Sequence, residues 1–260
     1  MSTQLEQILA HTLHEVTDRR AVADLALLER RAAAHRPRGF EAALRSADPA
    51  IIAELKKASP SRGLIRSNFD PAALASSLQS AGATALSVLT DEKFFQGSLE
   101  NLTLASQAVS IPCLRKDFIL DPFQILEARA ACADAVLLIV AALADADLKI
   151  LRDEARRMEL DVLCEVHDRA ELARAAALGF TIIGVNSRNL HTMQVEPQTQ
   201  LDLAQWLPCE TVRVAESGIR TAAEIAQMRS MGYDAFLVGE SLMRQPDPAA
   251  ALAALLQPKS

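Results

Sequence analysis

The chain has 260 residues, of which 50% are hydrophobic, so it can form a large core and is not expected to be disordered. This length is typical of a single α/β barrel, which needs about 250 residues. The formal net charge of −6 argues against a nucleic-acid-binding surface. If such an acidic chain binds an anion, its lysines and arginines must be concentrated at the site.

The cysteines indicate a reducing compartment. Cys113, Cys132, Cys164 and Cys209 are far apart and form no CxxC pair, which favours reduced thiols. The N-terminus leads into a mixed charged helix without the hydrophobic core of a signal peptide. The longest apolar run, Ala135 to Leu143, is shorter than the ~20 residues that cross a bilayer. We therefore expect a soluble, cytoplasmic protein without membrane contact.

Residues 1–48 predict a helical extension. Apolar residues recur at helical spacing over residues 2–35, which indicates one or two amphipathic helices. Pro37 to Gly39 ends this segment, and a short helix over residues 40–45 leads to Asp48-Pro49.

Residues 49–257 alternate between predicted strands and helices. Short aliphatic or β-branched runs begin near residues 51, 85, 112, 135, 161, 181, 211 and 235, with Ala- and Leu-rich helical patterns between them. This alternation implies parallel strands with right-handed crossovers. Eight such units favour a closed (β/α)8 TIM barrel over an open doubly wound sheet. We predict a single domain over residues 1–260, with the N-terminal helices packed on the barrel.

Turn residues agree with this alternation. Asp70-Pro71, Asp121-Pro122 and Asp145 are predicted to cap the starts of helices. Glycines that favour a left-handed helix end precede three of the predicted strands, at Gly82, Gly179 and Gly232.

Polar side chains end nearly every predicted strand. In a barrel, the carboxyl ends of the strands meet at one mouth, where the active site lies. The charged and amide residues expected there are Glu54, Lys56, Lys116, Glu165, Asn186 and Glu216. Isolated buried charges are costly, so this accumulation indicates a catalytic site rather than a purely structural ion network.

The turns after strands seven and eight have a phosphate-binding pattern. They read Glu216-Ser-Gly-Ile219 and Val238-Gly-Glu-Ser241, at the position where such barrels often bind phosphate. Small residues let the backbone approach an anion, and N–H groups at helix starts stabilise it. We expect the backbone of Glu240 to serve the site while its carboxylate, which would repel phosphate, points away.

Together these motifs resemble the indole-3-glycerol phosphate synthase family, in register from about residue 5 to 255. The most specific are Glu-x-Lys-x-x-Ser-Pro-Ser-x-Gly at 54–63 and Leu-Arg-Lys-Asp-Phe at 114–118. The others are Glu-Val-His-Asp at 165–168, Gly-Val-Asn-Ser-Arg-Asn-Leu at 184–190, Ala-Glu-Ser-Gly at 215–218 and Val-Gly-Glu-Ser-Leu-Met at 238–243.

The resemblance implies a carboxy-lyase of tryptophan biosynthesis. Its reaction closes the pyrrole ring of 1-(2-carboxyphenylamino)-1-deoxyribulose 5-phosphate and releases CO₂ and water, giving indole-3-glycerol phosphate. It implies no metal and no organic cofactor, and the sequence offers no metal-ligand spacing. The expected partner is this small phosphosugar–anthranilate substrate, with neither nucleic acid nor membrane. A monomer or weak homodimer is expected, and contact with other tryptophan-pathway enzymes stays open.

By the same resemblance, Lys116 is the general acid at ring closure and Glu165 the acid–base group of the dehydration. Lys56 would hold the substrate anions and contribute to the later proton transfer. Glu54 and Asn186 would orient the lysines and the substrate's nitrogen or hydroxyl groups.

Further contacts surround these residues. Glu216 and Ser217 would line the mouth, and Ser59 would seat the carboxylate. The rings expected to wall the anthranilate, with core packing as the alternative, are Phe94, Phe95 and Phe118. The phosphate candidates are Arg188, Gly218, Gly239, and the backbone of Glu240 and Ser241. Residues 59–69 are expected to close over the substrate.

Other interpretations stay open. A phosphoribosylanthranilate isomerase would prefer a Cys/Asp acid–base pair, which the predicted strand ends do not supply. A Schiff-base aldolase would use Lys116 or Lys56 covalently. A non-enzymatic barrel could bind a phosphorylated metabolite for regulation or assembly, but the presence of both lysines and Glu165 argues against it.

Overall fold

The structure, a computed structural model, describes residues 3–189 and 194–257. The strands within these ranges are β1 Ala50–Leu55, β2 Ala58–Ser59, β3 Gly63–Leu64, β4 Ala85–Leu89, β5 Cys113–Lys116, β6 Ala135–Ile139, β7 Asp161–Val166, β8 Ile182–Asn186, β9 Val212–Glu216 and β10 Ala235–Val238. The helices in the same ranges are α1 Gln4–Val22, α2 Leu25–Ala34, α3 Phe40–Ser46, α4 Pro71–Ser80, α5 Glu92–Phe95, α6 Leu99–Gln107, α7 Pro122–Ala130, α8 Asp145–Arg157, α9 Arg169–Ala177, α10 Gln198–Leu203, α11 Ala222–Ser230, α12 Glu240–Met243 and α13 Pro248–Leu256.

Parallel pairing closes the sheet into a barrel. Over the described part of the chain, strand β1 pairs with both β4 and β10, and the order continues through β9, β8, β7, β6 and β5 back to β4. The predicted (β/α)8 TIM barrel is therefore confirmed. Each of its strands begins within one residue of the predicted position. The aliphatic runs located the strands well because barrel strands are buried on both faces.

Side-chain alternation along the strands separates two apolar layers. Ile52, Leu114 and Leu137 belong to a cluster inside the barrel that also contains Phe40 and Leu44 of α3. This cluster includes the first residues of several strands, so α3 closes the amino end of the barrel. The alternate strand residues pack outward under the helices in a second, larger cluster. The opposite end, where the strands finish, is left for the site.

The predicted helix caps are mostly confirmed. Asp70 accepts the N–H of Ala73, and Asp121 accepts that of Phe123. Asp145 was predicted wrongly, because it is the first residue of α8 and its carboxylate binds Arg174 Nε at 2.7 Å instead. The glycines predicted to end helices have positive φ angles of 102°, 74° and 94° at Gly82, Gly179 and Gly232.

The N-terminal helix α1 packs across the barrel near the mouth. Arg19 Nε donates to Glu127 Oε1 at 2.8 Å, and Glu127 also pairs with the buried Arg115. Leu5 and Ile8 of α1 reach the cavity at the carboxyl ends of the strands. The N-terminal extension therefore forms part of the cavity wall.

The segment after β1 folds over the same mouth. It forms the β2–β3 hairpin, in which Ile65 donates its N–H to Lys57 O at 2.8 Å. Arg66 Nη1 then donates to the carbonyl oxygens of Met243 at 3.3 Å and Gln245 at 3.0 Å, which fastens the segment beside α12. Within the described ranges, every helix is too short or too polar to span a bilayer.

Candidate active site

A cavity of about 530 Å³ opens at the carboxyl ends of the barrel strands. It brings together nearly all of the residues predicted from the sequence. The predicted residues that line it are Glu54, Lys56, Ser59, Phe95, Lys116, Phe118, Glu165, Asn186, Arg188, Glu216, Ser217, Gly218, Gly239, Glu240 and Ser241.

The Lys116 ammonium lies between two carboxyl groups. Its Nζ donates to Glu165 Oε2 at 2.9 Å and lies 3.7 Å from Glu216 Oε2. Burial by itself would lower the pKa of Lys116, but the charges of Glu165, Glu216 and Glu54 raise that pKa above its ordinary value. Lys116 therefore carries a proton at neutral pH, as a general acid must.

Glu165 lies between two cations. Its Oε1 is 3.3 Å from His167 Nε2, and His167 Nδ1 is 3.1 Å from Glu171 Oε2. Burial lowers the pKa of His167, but the contacts with Glu165 and Glu171 outweigh it and raise that pKa to about 10. Burial similarly raises the pKa of Glu165, but Lys116 and His167 hold it well below its usual range. Glu165 is therefore ionised.

Glu216 differs from Glu165 in its protonation state. It is only 1% exposed, and burial, followed by the charge of Glu165, raises its pKa to about 8. Among the described residues, no donor reaches either of its oxygens at hydrogen-bond distance. Lys116 thus contacts one ionised and one protonated carboxyl group, which titrate as a coupled pair.

Two glycines make room for these acids. A Cβ atom on Gly184 would collide with Glu216 Oε1, and one on Gly239 would collide with Glu54 Oε1. Gly184 was not predicted as a site residue. A glycine in the middle of a strand is the sequence signal for such a close approach.

Glu54 and Lys56 lie on the same face of β1, as strand alternation predicts, and form an ion pair. Asn186, at the end of β8, accepts from Ser217 Oγ at 2.8 Å and from the N–H of Arg188 at 2.9 Å. These bonds fix the amide oxygen of Asn186. Ser59 Oγ is buried at the cavity wall, with no hydrogen-bond partner within the described ranges.

The aromatic wall differs from the prediction at one position. Phe95 and Phe118 line the cavity with ring centroids 6.4 Å apart. Phe94 packs edge-on against His11 of α1 at 5.6 Å and does not border the cavity. Successive helical residues point about 100° apart, so one turn of α5 cannot direct both rings at the substrate. The apolar lining that α1 supplies was missed.

The Glu240 side chain also differs from the prediction. It was expected to point away from the phosphate turns, but its carboxylate pairs with Arg62 at 3.2 Å and with Arg188 and Arg244 at 3.7 Å each. All of these side chains line the cavity. Ser241 Oγ donates to Ile219 O at 2.9 Å, which joins the two predicted phosphate turns.

A (β/α)8 barrel with an acid–base cluster and several arginines at its open end defines an enzyme of the phosphate-binding barrel class. The family described as indole-3-glycerol phosphate synthase matches residues 5–255. This match includes the 184–190 motif, whose last residue, Leu190, lies outside the described residues.

Two curated relatives carry the name indole-3-glycerol phosphate synthase. The protein of Koribacter versatilis (strain Ellin345) is 60% identical over 259 residues, which cover 98% of this chain and 100% of that protein. The protein of Acidithiobacillus ferrooxidans (strain ATCC 53993 / BNL-5-31) is 47% identical over 257 residues, covering 97% and 98%. The chain therefore belongs to the indole-3-glycerol phosphate synthase family and is a carboxy-lyase of tryptophan biosynthesis.

Solved structures of more distant proteins share the fold alone. A 3-hexulose-6-phosphate synthase superposes with a TM-score of 0.63 at 14% identity, over 79% of this chain and 97% of that one. An N-acetylmannosamine-6-phosphate 2-epimerase from Clostridium perfringens gives 0.61 at 13% identity, over 76% and 89%.

Proposed function

We propose that the cavity closes the pyrrole ring of 1-(2-carboxyphenylamino)-1-deoxyribulose 5-phosphate with Lys116 as the general acid. The observation that carries this proposal is the Lys116 ammonium, held 2.9 Å from Glu165 and 3.7 Å from Glu216 at the cavity. The aromatic carbon that bears the carboxylate attacks the ketone carbon, and the ketone oxygen takes the proton of Lys116. The carboxylate then leaves as CO₂, and its bonding electrons restore the aromatic ring.

Dehydration follows at the new hydroxyl group. The lone pair of the amino nitrogen expels the hydroxyl, which gains a proton and leaves as water. The neighbouring CH₂ carbon then loses a proton to complete the pyrrole. Glu165, ionised beside Lys116, is the acid–base group of this step, and Lys56 contributes to the transfer. Glu216 is protonated near neutral pH, so it can return a proton towards Lys116.

The substrate's two anionic ends bind at opposite sides of the cavity in this proposal. Lys56 and the buried hydroxyl of Ser59 seat the carboxylate, and Phe95 and Phe118 flank the aromatic ring. Glu54 and Asn186 orient Lys56 and the substrate's polar groups, and Ser217 bonds a substrate hydroxyl. The phosphate groups are Arg188 and the backbone of Gly218, Gly239, Glu240 and Ser241.

The Schiff-base alternative is disfavoured by the same geometry. A lysine nucleophile must be a neutral amine, whereas the carboxyl groups around Lys116 raise its pKa. Borohydride reduction in the presence of substrate should therefore leave the protein mass unchanged.

The test is the appearance of indole fluorescence when the purified protein meets the substrate. The wild type and Lys149→Ala, which changes an exposed lysine of α8, should form product, whereas Lys116→Ala should not. Equal product from Lys116→Ala would transfer the acid role to another residue, Lys56 first. A folded wild type that binds phosphate but forms no indole-3-glycerol phosphate would contradict the proposed reaction.

We also propose a cytoplasmic location, which the free thiols of Cys113, Cys132, Cys164 and Cys209 support. The proposed state is a monomer or weak homodimer, and contact with other tryptophan-pathway enzymes stays open. Sedimentation velocity at micromolar concentrations, run beside the indole assay, tests the oligomeric state.

A further inference from the structure

Glu240 is an unexpected anion among the arginines of the phosphate side. Its carboxylate lies 3.2 Å from Arg62 Nε, 3.7 Å from Arg188 Nη2 and 3.7 Å from Arg244 Nε. The Glu240 side chain is only 22% exposed, so these pairs are less screened than ion pairs on an open surface. The carboxylate is the common partner of arginines from three different segments.

Those segments belong to the proposed site. Arg62 lies in the β2–β3 hairpin, Arg188 follows β8, and Arg244 follows α12. Every one of these side chains borders the cavity together with Glu240. Glu240 also directly follows Gly239, whose backbone is a proposed phosphate contact. A phosphate bound there would meet the same arginines and the Glu240 carboxylate at once.

The Glu240 carboxylate and a bound phosphate are both negative, so they repel each other when they contact the same arginines. A phosphate monoester carries about 1.5 to 2 negative charges near pH 7, because its second pKa is near 6. Like charges a few ångströms apart repel strongly in a partly buried site. The phosphate must therefore displace Glu240 from the guanidinium groups, or bind more weakly beside it.

We propose that Glu240 is a specificity-determining residue, because its carboxylate is the internal counter-ion that the substrate phosphate displaces from Arg62, Arg188 and Arg244. An anion with one charge and few acceptor atoms competes poorly with such a counter-ion. A phosphate monoester, with higher charge and three terminal oxygens, competes well. The pair between Glu240 and Arg62 also connects the hairpin to the phosphate turns, so the same displacement removes one of the contacts that hold the hairpin at the mouth. The inference rests on the proposed function, which assigns the phosphate to this side of the cavity.

The test measures the binding of inorganic phosphate to the purified protein by titration calorimetry at constant ionic strength. Glu240→Gln keeps the shape of the side chain but removes the competing charge, so it should bind phosphate roughly three- to tenfold more tightly than the wild type. Glu240→Asp keeps the charge and should stay near the wild type. Glu210→Gln removes the same net charge at the amino end of β9, opposite the mouth, and should not change the affinity.

Limited trypsin digestion provides a second readout. Cleavage after Arg62, followed by mass spectrometry, should be faster in Glu240→Gln than in the wild type, since the variant lacks the ion pair that holds the Arg62 side chain. The Glu210→Gln control should be cleaved at the wild-type rate.

Unchanged or weaker phosphate binding in Glu240→Gln would overturn the inference. Weaker binding would mean that Glu240 positions the arginines for phosphate, and unchanged binding would mean that its charge does not affect phosphate affinity. That failure differs from failure of the proposed function. The binding experiment needs no turnover, and formation of indole by the wild type would still support the reaction. Conversely, the variant could bind phosphate more tightly while the wild type forms no indole-3-glycerol phosphate. That result would support the counter-ion role of Glu240 and contradict the proposed reaction.

Discussion

A buried carboxyl group lies at each end of the barrel, and the two groups differ in their hydrogen-bond partners. Asp134, before β6 at the amino end, is 0% exposed and accepts from the N–H of Arg38 at 2.8 Å and that of Cys113 at 2.6 Å. Arg38 Nε and His35 add further contacts at 3.0 Å and 3.2 Å. Glu216, at the carboxyl end, is 1% exposed, and no donor of the described chain lies at hydrogen-bond distance from its carboxyl oxygens.

The difference separates stabilising charge from reactive charge. Burial raises the pKa of Asp134, but His35 and Arg38 outweigh it and lower that pKa, so Asp134 is a paired anion that ties three segments together. Burial and Glu165 raise the pKa of Glu216 to about 8, so its proton is easily exchanged. An unsatisfied buried polar group costs stability and is expected where function requires it. In this fold such a position belongs at the carboxyl ends of the strands.

The largest expected effect is on stability at the amino end. Asp134→Ala leaves Arg38 and His35 without their anion and should lower the free energy of unfolding by about 3 kcal/mol. Urea unfolding measures this loss, and kcat per folded molecule should stay at the wild-type value. A variant as stable as the wild type would contradict the structural role of Asp134.

The matching change at the carboxyl end should act on catalysis instead. Glu216→Gln removes the exchangeable proton and should lower kcat by roughly 10²-fold, the range expected for loss of an acid–base group. The protein should not become less stable, because the carboxyl group has no hydrogen-bond donor to lose. Steady-state kinetics beside urea unfolding checks both parts. A loss of stability with unchanged kcat would reverse the assignment of the two ends.

The two carboxyl groups should also give stability opposite pH dependences. The pKa of Glu216 rises on folding from 4.5 to about 8, so its favourable contribution is complete below pH 4.5 and is lost as the pH rises towards 8. The folded pKa of Asp134 is lowered, so its contribution is present above the unfolded value of 3.8 and is lost as the pH falls. The advantage in Tm of Glu216→Gln over the wild type should therefore grow between pH 5 and pH 8. A constant difference across that range would argue against the raised pKa.

Only some of the features that distinguish the two ends of the barrel could be predicted from the sequence. The general rule of strand alternation is enough to put Glu54 and Lys56 on one face, and the ends of the apolar runs located Lys116, Glu165 and Glu216 at the mouth. These predictions succeeded because each depends on local periodicity and on a general property of barrels.

The remaining features depend on tertiary geometry. The rotation of α5 decides that Phe95 faces the cavity and Phe94 does not, and an error of one residue in the helix start reverses such a prediction. The partners of Glu240 come from segments distant in sequence, so no local pattern could reveal them. The raised pKa of Glu216 likewise depends on its burial and on the nearby charge of Glu165, which only the folded structure can show.

Two histidines, one at each end of the barrel, allow the same comparison, and their substitution is expected to have the smallest effect. His35 lies 3.2 Å from Asp134 at the amino end, and His167 lies 3.3 Å from Glu165 at the carboxyl end. Hydrogen bonding to Asp134 raises the pKa of His35 to about 9, and the contacts with Glu165 and Glu171 raise that of His167 to about 10 against the effect of burial. Each histidine is therefore a cation beside a buried anion at neutral pH.

Only one of these cations should affect the pH profile of catalysis. His167→Gln removes a positive charge beside Glu165, whose other titratable neighbours are Lys116 and Glu216, so the pKa of Glu165 should rise. Activity that requires ionised Glu165 is lost as the pH falls through this pKa, and the acid limb of kcat should move upward by roughly one pH unit. His35→Gln, the matched control, should lower Tm while its kcat profile overlays that of the wild type. If the His167→Gln and wild-type profiles coincide, His167 has no influence on Glu165, and its contacts have the same purely structural role as those of His35.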